Sequence, residues 1–191
     1  MIGGKNEDMN DSEPDLVYRI DRNDLLVGFN RQWNHFARDN GAPGLLREKS
    51  YKKPLWSFIH DVETRHVHQT LLNKVRLGKA IKGLPFRCDS PALRRFMKMD
   101  ILPLADGKIE YRCRTIRTET REAVPINSAN AGNGESLLRM CSWCKKVDAG
   151  NDKWVEIENA ISLLGLFTQA RVPAITHTIC DACASKLDGA N

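Results

Sequence analysis

The chain has 191 residues, a mass of 21.6 kDa, six cysteines and a formal net charge of +5. That length holds one domain, or one domain with a small satellite, and excludes a large multidomain enzyme. With 41% hydrophobic and 28% charged residues, a globular core is expected. No apolar run reaches the roughly 20 residues that cross a bilayer, and residues 1–15 are acidic without an apolar leader core. A cytoplasmic protein with no membrane partner is expected, and in that compartment six thiols point to metal or redox chemistry rather than to disulfides.

The charge is uneven. Residues 1–16 carry −4, residues 17–122 carry +10 and residues 123–191 carry −1. The basic middle fits a nucleic acid, an acidic partner or an arginine-rich solvated sheet face. The division follows composition: a disordered acidic tail over 1–15, an ordered domain over 16–122, a flexible Asn/Gly/Ser/Ala-rich linker over 123–136 and a cysteine module over 137–187.

Leu16, Tyr18 and Ile20 alternate with polar neighbours, and Leu25–Phe29 follows the turn chemistry of residues 21–24, which predicts a hairpin. Asn30 is expected to cap a helix presenting Trp33, Phe36 and Ala37 on one face, ended by Asn40-Gly41. Pro54–Ile59 reads as one or two helical turns. Asp61 caps a longer helix, in which Val67, Leu71 and Val75 recur every fourth residue until Gly78. The period then falls to two. Strands are predicted over 81–91, 93–104 and 108–122, with Met97, Met99 and Ile101 on one face, Phe96, Lys98 and Asp100 on the other, and a hairpin turn at Ala105-Asp-Gly107. Glu110, Arg112 and Arg114 are expected to face water or a partner. Two strands, helices and three strands make an α+β domain, with helices gathered on one face of an antiparallel sheet.

That order, with the runs VGFNRQWNHFARDN at 27–40 and LWSFIHD at 55–61, resembles a PAS domain over residues 16–122. The resemblance implies a five-stranded antiparallel sheet flanked by helices. It also implies binding of a small ligand between sheet and helices, docking to a signalling partner or self-association as a homodimer, and no shared catalytic residues.

Residues 141–144 read Cys-Ser-Trp-Cys and residues 180–183 read Cys-Asp-Ala-Cys, separated by 35 residues. Two C-x-x-C turns supply four thiolates for one tetrahedral ion, with zinc preferred to iron because a structural site needs no redox chemistry. The metal set is therefore Cys141, Cys144, Cys180 and Cys183. A helix over Trp154–Leu164, with Ile157, Ile161 and Leu164 inward, accounts for the long gap. His177, three residues before Cys180, is a fifth donor, either hydrogen-bonded to a thiolate or replacing one cysteine. Lys145 and Lys146 either offset the charge of the centre or are simply solvated. The run C-S-W-C-K, W-V-E-I-E and T-H-T-I-C-D-A-C resembles a cysteine module appended to bacterial two-component sensors and response regulators, with Thr178 where that family has Gly and Asp181 where it has Pro. The resemblance implies a signalling context. Metal removal is expected to unfold this module and leave the sheet domain intact.

Arg87 and Arg95 are candidates for holding a ligand carboxylate or phosphate, against pairing with Asp89 and Asp100 on the sheet surface. Cys88 and Cys113 read as packing residues. Haem bound through His60, His66 or His68 is disfavoured, and covalent attachment is excluded because no C-x-x-C-H occurs. No P-loop, G-x-S-x-G, H-E-x-x-H or kinase ATP-binding region occurs, so a non-catalytic sensor or adaptor is expected. The alternatives are a zinc-containing nucleic-acid-binding transcriptional regulator and a C-x-x-C dithiol redox protein.

Overall fold

A computed structural model of the chain describes residues 16–90, 92–121, 137–164 and 174–190. The tail predicted over 1–15 and the linker predicted over 123–136 lie outside the described residues. Strands β1 (Leu16–Ile20) and β2 (Leu26–Phe29) form the first hairpin. The Asp21 carboxylate accepts the Asn23 and Leu25 N–H groups at 2.8 and 3.0 Å and so fixes its turn. Helices α1 (Gln32–Asp39), α2 (Arg47–Ser50) and α3 (Val62–Arg76) follow. Asp61 caps α3 by accepting the Thr64 N–H at 2.9 Å, and Gly78, at φ +89°, turns the chain out of it. Asn30 does not cap α1: its N–H donates to the Val17 carbonyl, which extends the hairpin, and Arg31 takes the cap position.

Strands β3 (Ile81–Arg87), β4 (Leu93–Pro103) and β5 (Ile109–Thr120) complete an antiparallel sheet of order β2-β1-β5-β4-β3. One face carries Met97, Met99, Ile101, Ile109 and Tyr111, buried in one core with Val67, Leu71 and Val75 of α3. The apolar stripe of α3 dictates this packing, because its residues recur once per helical turn. Tyr18 and Tyr111 sit opposite one another on β1 and β5, their rings stacked at 4.6 Å. Two bulges shape the far side of the sheet. Gly83, at φ +65°, supplies the extra residue in β3 that only a left-handed position accommodates, and its N–H donates to Asp100 at 2.7 Å. Ile116 is the extra residue of β5.

The outer face departs from the alternation rule at two charged residues, Arg87 and Glu110. Glu110 is buried rather than solvated, because Arg19 and Arg112 close over its carboxylate at 2.5 and 2.6 Å. Burial alone would raise its pKa, but the two guanidiniums overcome this and hold it below the ordinary value.

The C-terminal residues build a second sheet from β6 (Leu137–Cys141), β7 (Val147–Asp148), β8 (Trp154–Val155) and β9 (Ala174–Thr178), in the order β8-β7-β6-β9. Helices α4 (Ile157–Leu164) and α5 (Asp181–Asp188) flank it. The helix predicted from Trp154 begins at Ile157. Trp154 and Val155, an aromatic and a β-branched residue, pair with β7 instead. Leu138 and Val147 pack with Ile157 and Ala160 in a small core. Among the described residues no helix is long and apolar enough to cross a membrane.

His68 belongs to the buried stripe of α3, with its ring 6.0 Å from Tyr111 and 5.7 Å from Trp143. Desolvation lowers its pKa from 6.5 to about 4. Between these values the unfolded chain binds a proton that the folded chain refuses, so His68 destabilises the fold as pH falls from 6.5 to about 4. The full effect is about 3 kcal/mol. Denaturant melts at pH 7 and pH 4.5 are expected to show a smaller acid loss for His68→Phe than for the wild type. Equal losses would contradict the assignment.

Candidate metal centre

The convergence of the two cysteine pairs follows from strand direction. β6 and β9 are parallel neighbours, with Cys141 opposite Thr178, so both C-x-x-C segments leave the same end of the sheet. Parallel neighbours need a crossover of a dozen or more residues, and β7, β8 and α4 lie in that connection. The long gap between the pairs is therefore topological. After β6 the chain turns sharply: the Lys145 N–H donates to the Cys141 carbonyl at 2.9 Å, the Cys141 N–H to the Lys146 carbonyl at 2.7 Å, and Lys145 takes φ +62°. After β9, Cys180 occupies the N-cap of α5 and Cys183 its first turn.

The four Sγ atoms of Cys141, Cys144, Cys180 and Cys183 lie within 4.8 Å of one another. Four sulfurs about 2.3 Å from a tetrahedral ion are about 3.8 Å apart, and Cys144 and Cys180 are separated by 3.8 Å. All six cysteines are free thiols. The donor set, four soft sulfurs, fits a metal ion such as zinc. The group's electrostatics favour a cation as well. The Cys141 thiol is held well below its ordinary range by hydrogen bonds from Cys144 and Cys183, and the Cys180 N–H also points at it, at 3.4 Å. Cys144 is pushed up to about 12 and Cys183 is raised, because each shares its proton with Cys141. The N-terminus of α5 adds positive potential beside the thiolates. A divalent ion would replace the shared protons, and these residues would then hold it without further rearrangement of strand order.

His177 is not in the sulfur group. Its side chain is 41% exposed and its Nδ1 is 4.0 Å from the Asp61 carboxylate. Lys145 donates to the Ser142 carbonyl at 2.7 Å. Cys113 is buried in the sheet core and Cys88 packs against that core. His60 and His66 are exposed. Arg95 donates to the Cys88 carbonyl at 3.2 Å and lies over the Phe36 ring at 5.6 Å.

The sulfur cluster is built into the sheet. Trp143, inside the first C-x-x-C, is buried with its indole against Phe86 at 6.1 Å and His68 at 5.7 Å. Its Nε1 donates to the Pro85 carbonyl at 2.6 Å, and its carbonyl accepts the Arg87 N–H at 3.1 Å. These are free backbone groups of β3, one of the sheet's two edge strands. Lys74, in the last turn of α3, donates to the Leu187, Asp188 and Ala190 carbonyls and so completes the end of α5.

A second tie is ionic. Arg87, with its side chain 5% exposed, pairs with Asp89 and, at 2.8 Å, with Glu156. Burial would favour loss of its proton, but the two carboxylates raise its pKa and keep the charge. Arg94 and Arg121 both hold Glu158 of α4. Arg87 thus found its predicted partner Asp89, while Asp100 pairs with Arg114. Sequence reasoning missed Trp143, Lys74, Glu156 and Glu158. The one available signal was a large indole inside a four-residue turn, where a solvated knuckle has no use for one.

No protein-family model matches the chain, and no curated protein matches it.

X-ray absorption at the metal edge is expected to show four sulfurs at about 2.3 Å and no nitrogen. Cys180→Ser is expected to lower metal retention. A nitrogen at about 2.0 Å would contradict the four-cysteine set and place His177 in it.

Proposed function

We propose that the protein is a non-catalytic bacterial signalling sensor or adaptor, whose PAS-like sheet domain binds a small ligand or a protein partner and whose cysteine module holds structural zinc. The observation that carries this reading is that the residues between the cysteines are spent on the sheet: Trp143 fills its core and caps its edge. A metal in this position braces a binding domain, which suits association better than turnover. The five-stranded antiparallel sheet, with three helices inserted between its second and third strands, is consistent with the PAS resemblance. The C-S-W-C-K and W-V-E-I-E runs support the two-component context.

Two other functions are less well supported. A nucleic-acid reading needs free cations, whereas Arg19 and Arg112 are held by Glu110 and Arg114 by Asp100. A dithiol reading needs one pair poised for exchange, whereas four sulfurs share one cluster. Signalling here passes by association, with a homodimer as the simplest form. Sedimentation equilibrium from micromolar to millimolar concentration is expected to report twice 21.6 kDa. A single-chain mass throughout would contradict the homodimer.

A further inference from the structure

A cavity of about 470 Å³ opens where the ends of β3 and β4 meet the cysteine module. Its size falls in the range of small-molecule sites. Cys144, Cys180 and Cys183 form part of its wall, so it opens against the sulfur cluster rather than between the sheet and α3. The walls are aromatic: Phe86 and Phe96 from the sheet, Trp143 and Trp154 from the module. Two of the rings are braced by guanidinium groups. Arg87 and Arg117 lie over Phe96 at 5.0 and 4.2 Å, and Arg139 lies over Trp154 at 5.5 Å. Rings held in this way lose little freedom when a flat ligand enters.

The lining charges divide into spent and unspent. Arg87 and Glu156 are paired with one another, and Asp152 is paired with Arg139 at 3.2 Å. Lys146 and Lys186 line the cavity with no ion pair among the described residues. The cysteine thiolates have their own counter-field in the N-terminus of α5 and the Cys180 N–H. Two unpaired ammonium groups thus flank an apolar, ring-lined cavity.

We propose that this cavity binds a small aromatic carboxylate, with its ring among Phe86, Phe96 and Trp154 and its carboxylate at Lys146 and Lys186. Aromatic side chains recognise the flat ring by offset or edge-on stacking. The ammonium groups donate charge-assisted hydrogen bonds to the carboxylate. An occupant touches both β3 and the Cys180–Cys183 turn, so binding tightens the junction between sheet and module. The proposal stands on the cavity alone. Binding without dimerisation, or dimerisation without binding, separates it from the signalling reading.

The test is calorimetric titration of the full-length, zinc-loaded protein with indole-3-acetate and with the neutral indole-3-acetamide. The acid is expected to bind saturably at one site per chain, about tenfold or more tighter than the amide. In K146Q/K186Q, a change confined to one half-buried and one exposed side chain, the acid is expected to fall to the level of the amide. Ala182→Phe, which places a ring at the cavity wall, is expected to abolish binding of both, with zinc content and circular dichroism confirming the fold. No saturable binding of the acid at millimolar concentration would overturn the proposal, as would equal affinity for acid and amide or an unchanged affinity in K146Q/K186Q.

Discussion

The Trp143 indole is the contact on which the two halves of this protein depend. It is an internal residue of the first C-x-x-C turn, so the sulfurs on either side fix its position. It is also a core residue of the five-stranded sheet, packed between His68 of α3 and Phe86 of β3. Its Nε1–H and its carbonyl satisfy two backbone groups on the open edge of β3. An unpaired edge strand invites association with other chains, and here that edge is partly occupied. Removing an indole from such a site costs on the order of 3–5 kcal/mol, a large share of a typical domain's stability.

The rest of the module follows from that constraint. Parallel pairing of β6 and β9 sends both cysteine turns out of the same end of the small sheet. The crossover that parallel pairing requires carries α4, whose N-terminal region presents Glu156 and Glu158 to Arg87, Arg94 and Arg121. The Arg87 pair is nearly buried, and breaking a buried pair from one side is costly because it strands the other charge. The basic excess of residues 17–122 is thus partly consumed inside the molecule, on Glu110, Asp100 and the carboxylates of α4.

Much of the sheet was legible because its signals are local. Period-two alternation located Met97, Met99 and Ile101, the fourfold spacing of Val67, Leu71 and Val75 located α3, and Asp61 and Gly78 marked its ends. The four cysteines were legible because C-x-x-C spacing is itself the geometry of a turn around an ion. What escaped depends on contacts between residues far apart in sequence. Nothing near Glu110 shows that Arg19, 91 residues away, covers it. The short strand Trp154–Val155 was hidden inside a longer helical pattern, since its pairing with β7 overrides the local period. His68 lies one residue from the Val67 that opens the apolar spacing, and only the tertiary packing of Trp143 and Tyr111 makes it a core residue.

The same long-range contacts alter what loss of the metal should do. Read from sequence, the module is a satellite whose unfolding leaves the sheet intact. With Trp143 and Leu187 in the sheet's own core, release of a metal held by the four cysteines would free the turn that holds the indole and expose the β3 edge. Hydrogen exchange on the full-length protein before and after chelation tests this most directly. Chelation is expected to remove protection from the β3 amides, the Arg87 N–H first among them, as well as from residues 137–164 and 174–190. Full retention of protection in β3 while the module exchanges freely would contradict the account.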